Sequence, residues 1–116
     1  MSYLFVYGTL RRGCDNEFAR LLAERGRFVG TANAPARLYD FGPYPGARPA
    51  NGSVAGEIFQ VDEALLAALD DYEGSEFERA IVSAQMDDGR ALDCWIYWYV
   101  GPAEGRLIAS GDWLKR

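Results

Sequence analysis

The chain has 116 residues, 49% of them apolar and 25% charged, with a formal net charge of −5 and no histidine. That length suits one compact domain over residues 1–116, and the acidic balance, with no cluster of cations larger than a pair such as Arg11-Arg12, argues against a nucleic-acid backbone as partner. The missing imidazole removes Ser-His and Cys-His nucleophile pairs and histidine metal sites, so acid–base chemistry falls to carboxylates.

Tyr3 to Tyr7 reads as a first strand, ended by Gly8. Its neighbourhood carries no charged leader pattern, and no apolar run approaches the length of a membrane span. The expectation is a cytoplasmic protein with no membrane partner. Asp15 or Asn16 then caps a helix with Phe18, Leu21 and Leu22 on one face and Gly26 as its stop. Arg27 to Val29 and Arg37 to Phe41 read as two short strands around an irregular stretch from Gly30 to Pro35. GPYPGARPANG, Gly42 to Gly52, carries three prolines and three glycines and reads as a long surface loop.

Strand character resumes from Ser53 to Val61, and Asp62 caps a second helix bearing Leu65, Leu66 and Leu69, closed by Gly74. Phe77 to Met86 and Ala91 to Val100 form a hairpin about Asp88-Gly89. CWIYWYV in the second arm is apolar on both faces, as in a central strand covered on both sides. In the tail, Leu107, Ile108, Trp113 and Leu114 are expected to fold back onto the body. Cys14 and Cys94 belong to no Cys-x-x-Cys pair and read as reduced thiols.

Three stretches carry chemistry. Gly8-Thr9-Leu10-Arg11-Arg12-Gly13 has the glycine spacing of a phosphate loop, but Cys14-Asp15 replaces the Lys-Ser/Thr that such a loop requires. It is either a simple turn with solvated arginines or the edge of a small-anion or carbonyl site. LDDYEGSEFER, Leu69 to Arg79, is rich in acids, most of them expected to be solvated. Glu73 stands apart at the helix end, where a sharp turn could aim it into the fold as a proton shuttle. Glu57, within AGEIF, faces outward or joins a polar pocket, because burial without a partner is costly. Cys14 reads as a small packed residue rather than a nucleophile. The aromatic run Trp95, Tyr97, Trp98, Tyr99 is more often core than ligand cage, yet one alternate face of a central strand can line a pocket.

VYGTLRRG, GPYPGA, SVAGEIFQV, LDDYEG with Arg79 following, CWIYWYV and SGDWL together resemble, in order and over nearly the whole chain, the gamma-glutamylcyclotransferase-like or AIG2-like family. The resemblance implies an α+β fold, a small mixed β-barrel flanked by helices. It also implies release of 5-oxoproline from a γ-glutamyl amine or γ-glutamyl amino acid, with no metal and no cofactor. The backbone of Tyr7, Gly8, Thr9 and Leu10 would hold the γ-glutamyl group, and Glu73 would be the catalytic proton acceptor and later donor. Tyr44 in the 42–52 loop, Tyr97 and Arg79 are the further expected substrate contacts, and Arg11 or Arg12 is a candidate partner for a substrate carboxylate. The family's usual tyrosine in a Y-x-R arrangement is Phe77 here. The alternative is a non-catalytic domain of the same fold that binds a small carboxylate or amide.

Overall fold

A computed structural model describes residues 2–116. Its elements are β1 (Ser2–Val6), α1 (Glu17–Arg25), β2 (Arg27–Asp40), β3 (Pro45–Val61), α2 (Glu63–Glu73), β4 (Phe77–Met86), β5 (Ala91–Tyr99), β6 (Arg106–Leu107) and a 3-10 turn at Trp113–Lys115.

Five strands close into a barrel. β1 pairs antiparallel with the end of β3, from Ser2↔Val61 to Val6↔Glu57, and parallel with β5 at Leu4↔Trp95. β5 pairs with β4, β4 with β2 at Ala32↔Met86, and β2 with β3, which completes the ring. β6 extends β2 at Tyr39↔Leu107. The interior is narrow because alanines do much of the filling: Ala32, Ala34, Ala36, Ala47 and Ala84 pack there around Phe5, Ile58 and Ile96. Outside the barrel, Leu4, Val6, Phe59 and Val61 are covered by Leu22 of α1 and Leu65, Leu66 and Leu69 of α2. β1 is therefore apolar on both faces, and so is the end of β3. β5, between β1 and β4 in the ring, is covered on both sides from Cys94 to Tyr99, with Trp95 and Trp98 part-buried, whereas Val100, read as part of this strand, lies beyond its end and is about half exposed.

Both helices begin where their caps require. Asn16 accepts from the Ala19 N–H and Asp62 from the Leu65 N–H, each at 2.8 Å. The hairpin of β4 and β5 closes at Asp87–Arg90, with Gly89 at φ +94°.

Two expectations from the sequence are corrected. Residues 27–40 form one strand of 14 residues, not two short ones around an irregular segment. Its register shifts between Phe28 and Gly30 and between Ala34 and Ala36. Pro35 falls in the second shift, where its missing N–H removes no ladder bond. The supposed loop at Gly42–Gly52 is also mostly strand, since β3 begins at Pro45, opposite Asp40. Proline is tolerated as the first residue of a strand, and Pro49 lies beside the irregularity at Ala34/Ala36. Gly46 is a packing residue, because a Cβ there would lie 2.5 Å from the Phe41 ring and 2.7 Å from Tyr99 Cβ. Only the short turn between Asp40 and Pro45 remains a loop. In the tail, Ile108 and Trp113 are buried as expected, whereas Leu107 and Leu114 stay about half exposed. No helix among the described residues is long and apolar enough to cross a membrane.

Candidate functional site

The site begins where β1 ends. Beyond Val6, β3 and β5 meet each other directly, pairing at Ala47↔Trp98. The Tyr7 hydroxyl occupies the fork: it donates to the Tyr97 carbonyl at 2.5 Å and accepts from the Ala47 N–H at 3.2 Å. A side chain thus takes the hydrogen bonds that a continuing strand would have made. Tyr7 is 6% exposed, and burial holds its phenol proton far above the usual range. Its hydroxyl is fully engaged by the sheet, so only the ring and backbone of Tyr7 are left to face a ligand. Tyr7→Phe is expected to lower unfolding free energy by about 1–3 kcal/mol for each buried group left unpaired. Urea denaturation measures this, and an unchanged midpoint would show that the fork does not need the hydroxyl.

The chain next turns sharply, with the Arg11 N–H donating to the Gly8 carbonyl at 3.1 Å. Asn16 fixes the turn from the helix side, donating to the Thr9 carbonyl at 2.7 Å. The N–H groups of Gly8, Thr9 and Leu10 find no acceptor among the described residues. Successive free amides of this kind suit a carboxylate or an oxyanion. Gly8 lies flat on Pro45, whose Cγ would be 2.5 Å from any Cβ at that position.

The two arginines look the other way. Arg11 is 7% exposed and ion-paired to Glu57 at 3.2 Å and to Asp112 at 2.8 Å. Glu57, 3% exposed, also accepts from the Arg12 backbone N–H at 2.8 Å. The Arg12 guanidinium lies over Phe28, 3.6 Å from the ring centre. The suggested pairing of Arg11 with a substrate carboxylate is thereby corrected: Arg11 is consumed in bracing the 8–13 turn from behind. Asp112 joins this brace while also accepting from the Leu114 N–H at 2.9 Å, which explains the closing SGDWL. The Cys14 thiol donates to the Gly8 carbonyl, and burial raises its pKa, the opposite of what a nucleophile needs.

Glu73 is the last residue of α2. Leu65, Leu66 and Leu69 bury the helix, and Gly74, at φ +76°, donates to the Asp70 carbonyl and turns the chain away. The Glu73 carboxyl makes no hydrogen bond with a described residue, and burial pushes its pKa from 4.5 up to about 7. It lines a cavity of about 570 Å³ together with Tyr7, Gly8, Thr9 and Leu10.

Tyr44 and Tyr97 line the same cavity. Phe77 forms an apolar wall against Tyr44, with ring centres 5.9 Å apart. Arg79 is not among the lining residues. Its guanidinium grips Asp70 through both oxygens, at 2.8 and 3.1 Å, and lies over Trp95. Asp70 in turn accepts from the Tyr97 hydroxyl at 2.7 Å. Sequence reasoning passed over Asp70, Tyr72, Pro43, Pro45 and Glu76. Asp70 alone had a signal, because it stands three residues before Glu73 and so on the same helix face. Among the described lining residues Glu73 and Glu76 are acidic and none is cationic.

Comparison with known proteins agrees with this geometry. The family model described as gamma-glutamyl cyclotransferase, AIG2-like, matches residues 4–115. The gamma-glutamylcyclotransferase family protein YtfP of Escherichia coli strain K12 is 40% identical over 116 residues, covering 97% of this chain and 96% of the relative. Its solution structure superposes with a TM-score of 0.72 over 98% of this chain and 97% of that one, at 38% identity. A crystal structure of an aig2-like protein from Mus musculus gives a TM-score of 0.75 at 32% identity, over 89% of this chain and 80% of that one. With its barrel, its amide-rich turn and its helix-end glutamate on one cavity, the chain belongs to the AIG2-like gamma-glutamyl cyclotransferase family.

Proposed function

We propose that this protein cyclises a γ-glutamyl amide to 5-oxoproline and releases the free amine, with Glu73 moving the proton. The observation that carries this reading is an unpaired, part-buried carboxyl sharing a cavity with three unpaired backbone N–H groups. Glu73 takes a proton from the α-ammonium, and the amine nitrogen attacks its own γ-carbonyl carbon. The amides of Gly8 to Leu10 hold the acidic end of the glutamyl group and the developing oxyanion. Collapse of the tetrahedral intermediate breaks the C–N bond as Glu73 returns its proton to the leaving amine, and the second proton shed by the ring nitrogen as it becomes the lactam N–H passes to the same amine, which departs as an ammonium ion. Ring closure is intramolecular, so holding the glutamyl chain folded between Tyr44, Tyr97 and the turn supplies much of the rate.

A carboxyl titrating near 7 is matched to this double role. It must be ionised in the free enzyme to act as base. kcat/KM should therefore rise with pH through a midpoint near 7 and fall away on the acid side. The test is incubation with a panel of γ-glutamyl amines and γ-glutamyl amino acids, following 5-oxoproline by mass spectrometry across pH. No product from any member would overturn the reading, and tight binding without conversion would favour a domain that only binds.

A further inference from the structure

Tyr97 has a single hydroxyl proton, and Asp70 takes it at 2.7 Å. Asp70 is held by the Arg79 fork on both oxygens, an arrangement in which a carboxylate only accepts. Arg79 is fixed in its turn, 4.2 Å above the Trp95 ring. Burial first, then the Asp70 bond and charge, then the Glu73 charge, raise the proton affinity of the Tyr97 phenol, so the proton stays. The O–H is thus committed away from the cavity that Tyr97 lines, and its oxygen accepts no hydrogen bond from a described residue. Lone pairs are what Tyr97 has left to offer a ligand. Tyr7 makes a useful contrast, since both the donor and the acceptor of its hydroxyl are spent within the sheet.

We infer that Tyr97 is a one-way acceptor for the substrate's α-amine, and that Asp70 and Arg79 are positioning residues which fix that polarity. The inference rests on the proposed cyclisation and adds a rule of recognition to it. Gly8 to Leu10, whose N–H groups are unpaired among the described residues, line the cavity together with the acceptors Tyr97 and Glu73. A γ-glutamyl head carries the matching groups, a carboxylate and carbonyl for the donors and an ammonium for the acceptors. A head with no donor at the α-carbon leaves the Tyr97 oxygen unpaired in a buried site.

The test compares two ligands that differ only in the α-amine, γ-glutamylanilide and glutaranilic acid. Dissociation constants are measured by calorimetry in a Glu73→Gln background, where turnover does not interfere, for that parent and with Tyr97→Phe or Asp70→Leu added. The parent should prefer the aminated ligand. Either added change should reduce that preference by about tenfold or more, the worth of a hydrogen bond to a charged donor. Asp70→Leu acts by removing the acceptor that both the Tyr97 hydroxyl and Arg79 Nε use, which frees the Tyr97 proton to turn toward the cavity. A change that merely loosened the fold would weaken both ligands alike and leave the ratio intact. An unaltered ratio in either folded variant, or no preference in the parent, overturns the inference. Failure of the wild-type protein to release 5-oxoproline from any γ-glutamyl amide would instead strike the proposed activity, whatever the ratios show.

Discussion

Glu73→Gln is expected to remove 5-oxoproline release and, at the same time, to make the protein more stable above pH 7. Loss of a positioned acid–base group costs on the order of a hundredfold to ten-thousandfold in rate. On the proposed mechanism one carboxyl carries the proton both ways, and no histidine exists to replace it. The gain in stability has the same origin as the activity. Burial raises the folded-state pKa from 4.5 to about 7, so between those values the folded protein binds more protons than the unfolded one. The contribution of Glu73 to stability must then fall as pH rises from 4.5 through 7, and it stays lowered beyond. Discounted for the partial exposure of Glu73, the penalty is about 1–3 kcal/mol, and glutamine does not incur it. Urea midpoints at about pH 5 and about pH 8 should therefore converge at the acid value and separate at the alkaline one. A fully active mutant would remove Glu73 from the mechanism, and a midpoint difference independent of pH would remove the burial argument.

The second large effect is placed at Glu57, away from the cavity. Glu57→Ala leaves Arg11 with only Asp112 and strips the Arg12 N–H of its acceptor, all within a nearly closed region. Breaking a buried pair from one side costs about 3–5 kcal/mol, against a total of roughly 5–15 for a typical domain. Removing both partners, as in Arg11→Met with Glu57→Leu, should cost clearly less than the sum of the single changes, because no charge is stranded opposite the other. Denaturant melts of the four proteins close this cycle. Strict additivity would mean that the ion pair does not act as a unit. Since the brace holds the 8–13 turn, folded survivors should also show raised KM.

Local rules were enough to locate both helices, the first cap to Asp15 or Asn16, the second to Asp62, and the hairpin at Asp88-Gly89. Each rests on residues a few positions apart, where propensity and patterning act. They were also enough to single out Glu73, because a helix end followed by glycine is itself a local signal. What escaped is non-local. The glycines and prolines of 42–52 signal a loop when taken alone, yet Gly46 is small because Phe41 and Tyr99 lie on it, and Pro45 begins a strand whose partner is β2. Arg11 resembles a free surface cation until Glu57 and Asp112 arrive from 46 and 101 residues away. Arg79 belonged to the motif that carried the resemblance, but its reach ends at Asp70, one residue short of the cavity wall.

The fork closed by the Tyr7 hydroxyl bears on how this cavity moves. Many binding clefts lie between parts that open separately, so that a gate can fluctuate while the body stays intact. Here the inner end of the cavity is stitched to the Ala47 N–H of β3 and the Tyr97 carbonyl of β5. The residue that carries the stitch also begins the amide-bearing turn. Loosening that end of the site therefore parts the barrel wall, which makes it belong to the last region to open rather than the first. A ligand of this cavity would meet a Tyr7 end that is already assembled, held as firmly as the barrel itself.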